Sequence, residues 1–363
     1  MADAFLSLAK DKRSMKIRPI YSVFYVLLLV ACGSTKLIDT NPENIKPVAT
    51  EEPEKELSGP EGLKAQMPKA PVSIPAFTSS EKVSELMGYL TSDNLKGRDS
   101  GSEGIELAAQ YIEKHFATHA ISPYYKTFRD TLSNFDKPSY NIVGWIEGND
   151  PELKKEFIVV GAHYDHIGVV SPIQGDSIAN GANDNASGTT VVMEVARYFG
   201  EKNSNKRSLI FALFSAEEKG LLGSRHMAKN MKQAGLNLYV MLNFEMIGVP
   251  LRSKKYSLYI TGYEKSNLAA ISNKYAGESL IGYLPTAKQY GLFQRSDNYD
   301  FYKEFQVPSH TYCTFDFTNF DFYHKPGDEL SRMDMEHMAT TINKMIPVVE
   351  GIANAAAQEI KLN

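Results

Sequence analysis

The sequence lacks the features that define several common classes of protein. It has only two cysteines, Cys32 and Cys313, in 363 residues, and these cannot form a structural disulfide if Cys32 is modified. Its formal net charge of −4 provides no basic surface, so we expect no nucleic-acid partner. It shows no internal repeat, while its 43% of hydrophobic residues is enough for a large core.

Long hydrophobic runs are also scarce, and the run that stands out lies near the amino terminus. Residues 20–31 are apolar and follow Lys16 and Arg18, with Met15 as the expected true start. A basic start, a 12-residue apolar stretch and small residues after it are typical of a signal peptide. The stretch is too short to span a bilayer comfortably, and a short membrane anchor or a buried helix is the alternative.

The next residues predict a lipid anchor and a tether. Residues 29–32 read Leu-Val-Ala-Cys and resemble the bacterial lipobox, in which cleavage frees the cysteine for lipidation. We expect residues 1–32 to be a signal peptide and Cys32 to hold an exported lipoprotein at the periplasmic face of the outer membrane or at the cell surface. Residues 33–80 contain seven of the 17 prolines and no regular hydrophobic period. This predicts a disordered tether before a folded domain at 81–363.

From residue 81 onward, helical and strand periods alternate. The first predicted helix begins near residue 81, and further helices are predicted at 104–117, 188–199, 221–232, 265–275 and 335–357. Strands are predicted at 140–146, 156–162, 208–214, 238–244, 256–261 and 309–315. The alternation predicts a single α/β domain with a mostly parallel, twisted mixed sheet covered by helices on both faces.

Acidic residues and histidines follow the predicted strands, where ligand sites of α/β sheets lie. His163 ends one strand, and Asp165 would point the same way two residues later, so His163 is a candidate metal ligand with Asp165 as the carboxylate that orients it. Glu217 and Glu218 follow another strand, and two adjacent carboxylates repel each other. A bound cation would neutralise one of them, and the other could then transfer protons. Alternatively, both are acids of the first helical turn, where the helix dipole favours negative charge. Glu245 ends a third strand, where a solvated strand end is the alternative.

Asp184 and His324 complete the set of candidates. Asp184 lies among small and turn-forming residues before a predicted helix; its carboxylate could bridge two cations about 3.5–4 Å apart or simply cap the helix. His324 follows the last strand within an aromatic run, where a surface histidine is the alternative. We expect His166 to be a helper or a surface residue and not a ligand. Cys313 is expected to be a buried apolar residue.

Together these residues resemble the zinc aminopeptidase family that includes secreted bacterial aminopeptidases, the glutamate carboxypeptidase group and glutaminyl cyclases. The resemblance covers residues 83–349 and includes Leu-Lys-Gly-Arg at 95–98, Tyr-Asn-Ile-Val-Gly at 140–144 and the motifs above. It implies the fold of zinc exopeptidases, two Zn²⁺ ions per chain, a metallo-aminopeptidase activity and peptide substrates.

The resemblance also implies a role for each candidate. One zinc ion would be held by His163, Asp184 and Glu245, and the other by Asp184, Glu218 and His324, with Asp184 as the bridge. Glu217 would be the general base and acid, Asp165 would be a supporting carboxylate, and the Asp184–Asn185 peptide bond would be cis.

Two positions depart from the family pattern. Glu245 stands where the family commonly has aspartate, so its carboxylate reaches one methylene farther and the geometry of that zinc site is open. Asn183 stands where a second aspartate is frequent, which should have a small effect because this position is not a ligand. Asp297 matches a Ser-Asp segment of the family and is expected to line the cleft, and Tyr323 is a candidate for contacting the substrate oxyanion.

The sequence therefore predicts a zinc-dependent aminopeptidase that hydrolyses N-terminal residues from peptides through a water shared by two metal ions. The first alternative is a single-zinc glutaminyl cyclase that cyclises N-terminal glutamine. The second is a non-catalytic metal-binding domain.

Overall fold

The computed structural model describes residues 76–363. The predictions for the signal peptide, Cys32 and nearly all of the tether therefore lie outside the described residues. Within them, the backbone N–H groups of Phe77 and Thr78 donate to the side chain of Asn343 at 2.8 and 3.0 Å, which attaches the start of this region to the last helix.

The described residues form eleven strands and eight α-helices. The strands are β1 Ser122–Pro123, β2 Arg129–Thr131, β3 Tyr140–Ile146, β4 Phe157–His163, β5 Gly168–Ile173, β6 Asp176–Ala179, β7 Ser208–Phe214, β8 Leu238–Glu245, β9 Leu258–Ile260, β10 Ile281–Gly282 and β11 Ser309–Cys313. The helices are α1 Ser80–Leu90, α2 Glu103–Thr118, α3 Gly188–Lys202, α4 Leu222–Gln233, α5 Leu268–Ala276, α6 Pro285–Gln289, α7 Asn298–Phe305 and α8 Met335–Asn354.

Nine strands build one mixed sheet in the order β1-β3-β7-β4-β8-β11-β9-β10, with β2 paired to β3. Its centre, β7-β4-β8-β11, is parallel, whereas β3 and β9 run antiparallel to their inner neighbours. Every residue of β7 is buried, as expected for a central parallel strand covered on both faces. The remaining strands, β5 and β6, form a separate hairpin.

Helices cover both faces of this sheet. Ile158 and Val160 of β4 belong to the larger hydrophobic cluster, which includes residues of α1, α2, α3, α5 and α8. Val159, between them, belongs to a second cluster with residues of α4 and α7. Because successive side chains of a strand point to opposite faces, these clusters lie on the two sides of the sheet. The predicted α/β fold is therefore confirmed.

The differences from the predicted elements are local. The β5–β6 hairpin and α7 were not predicted, while β9 and β11 are shorter than the strands expected there. Cys313 is buried at the end of β11, as expected. Among residues 76–363, none of the helices combines the length and apolar character that crossing a bilayer requires.

Candidate metal centre

The central parallel strands bring the candidate residues to one edge of the sheet. Strand β4 ends at His163, whose register partner on β7 is Phe214, so the turn that carries Glu217 and Glu218 begins beside it. Strand β8, on the other side of β4, ends at Glu245. The carboxyl ends of three neighbouring strands thus supply a histidine and three carboxylates, the arrangement that the sequence predicts.

Asp184 lies at the centre of this group. One carboxylate oxygen, Oδ1, is 3.3 Å from His163 Nε2, and the other, Oδ2, is 3.2 Å from His324 Nε2. His324 Nε2 is also 3.1 Å from Glu218 Oε2. The Asp184–Asn185 peptide bond is cis, as the resemblance implies. A carboxylate with a different histidine at each oxygen has the arrangement of a bridging ligand.

These separations fit zinc. Two ligand atoms held about 2.0–2.1 Å from a tetrahedral zinc ion lie roughly 3.3 Å apart. The two distances from Asp184 to the histidines and the distance from His324 to Glu218 are close to this value. His163 Nε2 is buried and has no hydrogen-bond partner among the described residues, although Asp184 is near it. An imidazole nitrogen that faces a carboxylate without bonding to it is suited to share a cation with that carboxylate.

Two buried charged side chains position the Asp184 backbone. The carboxylate of Asp328 accepts hydrogen bonds from the backbone N–H groups of Asn183, at 2.7 Å, and Asp184, at 3.0 Å. The buried guanidinium of Arg98 donates to the carbonyl oxygens of Leu90, Tyr164, Asn180 and Gly181. The segment before Asp184 is therefore tied both to β4 and to the loop that carries His324.

Asp165 supports both Glu217 and His163. Its carboxylate accepts hydrogen bonds from the Glu217 backbone N–H at 3.2 Å and from the Ser100 hydroxyl at 2.8 Å. His163 Nδ1 is closer to the backbone carbonyl oxygen of Asp165, at 3.2 Å, than to its carboxylate, at 3.7 Å. The carbonyl thus orients the histidine, while the carboxylate mainly holds the turn that presents Glu217.

The electrostatics divide the acids into two groups. Burial and the charge of Glu218 raise the pKa of Glu217 well above its usual range, and burial raises the pKa of Glu245 to about 7. Burial also opposes ionisation of Glu218 and Asp184, but hydrogen bonds from the histidines lower the pKa of Glu218 to about 2 and that of Asp184 well below its usual range. Positive charge therefore keeps the central carboxylates ionised, and bound cations would supply more of it.

Glu245 is not joined to this centre by a hydrogen bond or an ion pair among residues 76–363. Its Oε2 accepts a short hydrogen bond from the Ser296 hydroxyl. Its role as a ligand with His163 and Asp184 remains a prediction. Because glutamate is one methylene longer than the aspartate common in the family, its carboxylate reaches far enough to accept the hydrogen bond from Ser296.

His166 contradicts the expectation of a surface position. Its side chain is fully buried, and Nδ1 is 2.8 Å from Glu218 Oε1. His166, Asp184 and Glu218 each offer an atom within 4.8 Å of the others. A helper role remains open to His166.

A small cleft with a cavity volume of about 40 Å³ opens beside Glu245. Phe315, Phe317 and Tyr323 contribute aromatic walls. Tyr323 stacks on His324 with ring centroids 3.9 Å apart, so it borders both the cleft and the candidate ligands.

Asp297 does not line this cleft, contrary to the expectation. It is fully buried just before α7, and neither of its carboxylate oxygens has a hydrogen-bond partner among the described residues. Burial raises its pKa to about 8. Asn298, the first residue of α7, is also buried, and the neighbouring Ser296 lines the cleft.

Four residues that build the site have no role in the prediction from sequence: Arg98, Ser100, Ser296 and Asp328. Arg98 lies in the Leu-Lys-Gly-Arg segment that carries the resemblance, and Asp328 ends the Lys-Pro-Gly-Asp segment that follows His324. A charged residue next to a turn-forming glycine was the available signal for both.

The similarity to known proteins agrees with this geometry. The chain is 30% identical over 178 residues to a probable zinc metalloprotease of Pyrenophora tritici-repentis, covering 46% of this chain and 40% of that protein. The chain spans less than half the length of the curated relatives it matches first.

Solved structures share the fold at low identity. The LapA aminopeptidase of Legionella pneumophila superposes with a TM-score of 0.59 at 22% identity, covering 77% of this chain and 73% of that chain. The glutaminyl cyclase of Porphyromonas gingivalis superposes with a TM-score of 0.58 at 16% identity, covering 76% and 98%. Residues 141–349, which include every candidate ligand, match the model of peptidase family M28. This match extends over more than half of the chain, and the chain therefore belongs to peptidase family M28.

Proposed function

We propose that the protein is a zinc-dependent aminopeptidase that removes N-terminal residues from peptides. The observation that carries the proposal is the buried Asp184 carboxylate, with His163 at one oxygen and His324 at the other. The relatives named as zinc metalloproteases and the aminopeptidase neighbour support it.

The ligands would divide between two ions. Asp184, Glu218 and His324 would hold one, and His163, Asp184 and Glu245 would hold the other. Glu245 has Oε1 available for this role while Oε2 accepts the hydrogen bond from Ser296. When bound, zinc polarises a scissile carbonyl and makes water more acidic.

Glu217 would perform the proton transfers. It is half-buried at the site, with its backbone fixed by Asp165, and its raised pKa brings it nearer the operating pH than an exposed glutamate. It would take the proton from the attacking water and return it to the leaving amine. Tyr323, which borders the cleft, would donate a hydrogen bond to the carbonyl oxygen as negative charge develops there.

The adjoining cleft would receive the first residue of the peptide. Its aromatic walls suit an apolar side chain, and the carboxylate of Glu245 at its edge would meet the free α-amino group. This contact would restrict cleavage to the ends of chains.

A glutaminyl cyclase with a single zinc ion is the second candidate. The hydrogen bond between Ser296 and Glu245 favours it, because it leaves Asp184, Glu218 and His324 as the better assembled ligand set. The neighbour from Porphyromonas gingivalis bears the name of this activity.

One experiment separates the two candidates. Purified full-length protein loaded with zinc is incubated with a peptide library that includes members starting with glutamine, and products are identified by mass spectrometry. Stepwise loss of N-terminal residues, stopped by a chelator, supports the aminopeptidase. Loss of ammonia from glutamine-started peptides alone would favour the cyclase, and no reaction despite bound zinc would refute both.

We also propose that the protein is an exported lipoprotein anchored through Cys32, on the basis of the sequence at residues 29–32. A Cys32→Ser variant should lose incorporation of a labelled fatty acid and leave the membrane fraction. Label that persists in this variant would contradict the assignment.

A further inference from the structure

A second histidine contacts the carboxylate of Glu218, at the oxygen that the first does not contact. Glu218 Oε2 is 3.1 Å from His324 Nε2, while Glu218 Oε1 is 2.8 Å from His166 Nδ1. Each oxygen of this buried carboxylate therefore faces a different imidazole. His166 could bind the metal ion itself or could hold Glu218 in position, and the distances between the ligand atoms distinguish these two roles.

The distances separate the two histidines. His324 Nε2 is 3.2 Å from Asp184 Oδ2 and 3.1 Å from Glu218 Oε2, and both values match two ligands of one tetrahedral zinc ion, roughly 3.3 Å apart. His166 Nδ1 is 3.8 Å from Asp184 Oδ2 but only 2.8 Å from Glu218 Oε1. This shorter distance is that of a hydrogen bond.

The fold provides a place for the His166 ring. The side chain is fully buried, and the backbone N–H donates to the Arg98 carbonyl oxygen at 3.3 Å. A Cβ atom added to Gly181 would lie 2.6 Å from His166 Cγ, and Gly181 has a φ of +57°. A glycine before Asp184 thus leaves the space that the ring fills.

We propose that His166 is a positioning residue for the zinc site: its Nδ1–H donates to Glu218 Oε1, so that Oε2 alone faces the ion shared with Asp184 and His324. This inference deepens the proposed function and rests on it. Hydrogen-bond partners behind metal ligands fix their orientation, and their loss costs roughly 10- to 100-fold in metal affinity or activity.

The test compares three substitutions. His166→Ala removes the donor, His166→Leu removes it while filling most of the space, and His166→Asn keeps an N–H close to the position of Nδ1. His115→Asn, at a buried histidine whose ring contacts the Met193 carbonyl oxygen, is the matched control. Zinc dissociation constants are measured by chelator competition, zinc content by mass spectrometry and thermal unfolding by circular dichroism, so no readout depends on activity.

We expect His166→Ala and His166→Leu to bind zinc roughly 10- to 100-fold more weakly, and His166→Asn and the control to bind like wild type. Wild-type affinity in both the alanine and the leucine variants would overturn the inference. Loss of one ion per chain in all three His166 variants would also overturn it: an amide oxygen is a much weaker zinc ligand than an imidazole nitrogen, so His166 would then be a ligand itself. Wild-type protein that binds no zinc would instead refute the proposed function.

Discussion

Replacement of Glu217 by glutamine tests the proposed division between metal binding and proton transfer. The carboxylate of Glu217 accepts no hydrogen bond from another described side chain, whereas its backbone N–H holds the Asp165 carboxylate at 3.2 Å. The Glu217→Gln substitution keeps that backbone contact and the size of the side chain. It removes the basic oxygen and leaves Asp184, Glu218 and both flanking histidines unchanged.

The expected loss of activity is large, while the loss of metal is negligible. General bases contribute about 10²- to 10⁴-fold to rate, which corresponds to roughly 3–5 kcal/mol of transition-state free energy. Turnover of a peptide substrate should fall by this factor, with zinc content and thermal unfolding as in wild type. Because the base must be ionised, wild-type kcat/KM should fall as the pH drops below the raised pKa of Glu217, and the variant should lose this dependence.

Glu152→Gln, at an exposed glutamate that pairs with Lys155, is the control for the loss of one carboxylate. Activity and zinc content that fall together in Glu217→Gln would refute the reasoning, because Glu217 would then be a ligand or a structural residue. Near wild-type turnover would place the proton transfer on another group.

Further predictions concern stability and metal binding. The Asp328→Asn substitution replaces one of the two carboxylate oxygens that accept the backbone N–H groups of Asn183 and Asp184. The free energy of unfolding, measured by urea titration, should fall by roughly 1–3 kcal/mol, and zinc should bind more weakly. Burial lowers the pKa of His310 to about 4, and its unfolded-state pKa is about 6.5. As the pH falls, the unfolded chain therefore takes up a proton at this histidine before the folded chain does. The contribution of neutral His310 to the free energy of unfolding, at most roughly 3 kcal/mol, is lost between pH 6.5 and 4. A His310→Gln variant should show a weaker dependence of the free energy of unfolding on pH in this range. Zinc titrated by calorimetry should bind in two steps of unequal affinity, because Glu245 is engaged by Ser296; equal affinities would contradict this.

The central strands were predictable because they are buried on both faces. Strands β4 and β7 consist of nearly continuous apolar runs, which can pair only in the interior of a sheet. The β5–β6 hairpin was not predictable in this way, since most of its residues are exposed or half-buried. Helix α7 is eight residues long and mixes Tyr, Asp, Lys and Glu with two phenylalanines, so its helical period is weak.

Candidate site residues at the strand ends could be predicted because the period of a strand gives the direction of its side chains. His163 and Asp165 were assigned to one side on this ground. Strand β4 ends at His163, so Asp165 and His166 both lie where no strand period applies. The sequence therefore could not show that the Asp165 carboxylate holds the Glu217 turn or that the His166 ring points toward Glu218. Arg98 and Asp328 depend on contacts across many residues of chain, which local patterns do not encode.

Glu245 shows a different limit, because its position was predictable and its bonding was not. The end of β8 places it beside β4, whichever acid occupies the site. The additional methylene of glutamate then lets one oxygen reach Ser296, a residue that the chain brings in from the segment before α7. The half of the site with Asp184, Glu218 and His324 is held by Asp328, Arg98 and His166, whereas Ser296 draws Glu245 of the other half toward itself. We therefore expect the number of ions bound, and with it the choice between the two proposed activities, to depend on whether Glu245 Oε1 can join His163 and Asp184 while Oε2 remains bonded to Ser296.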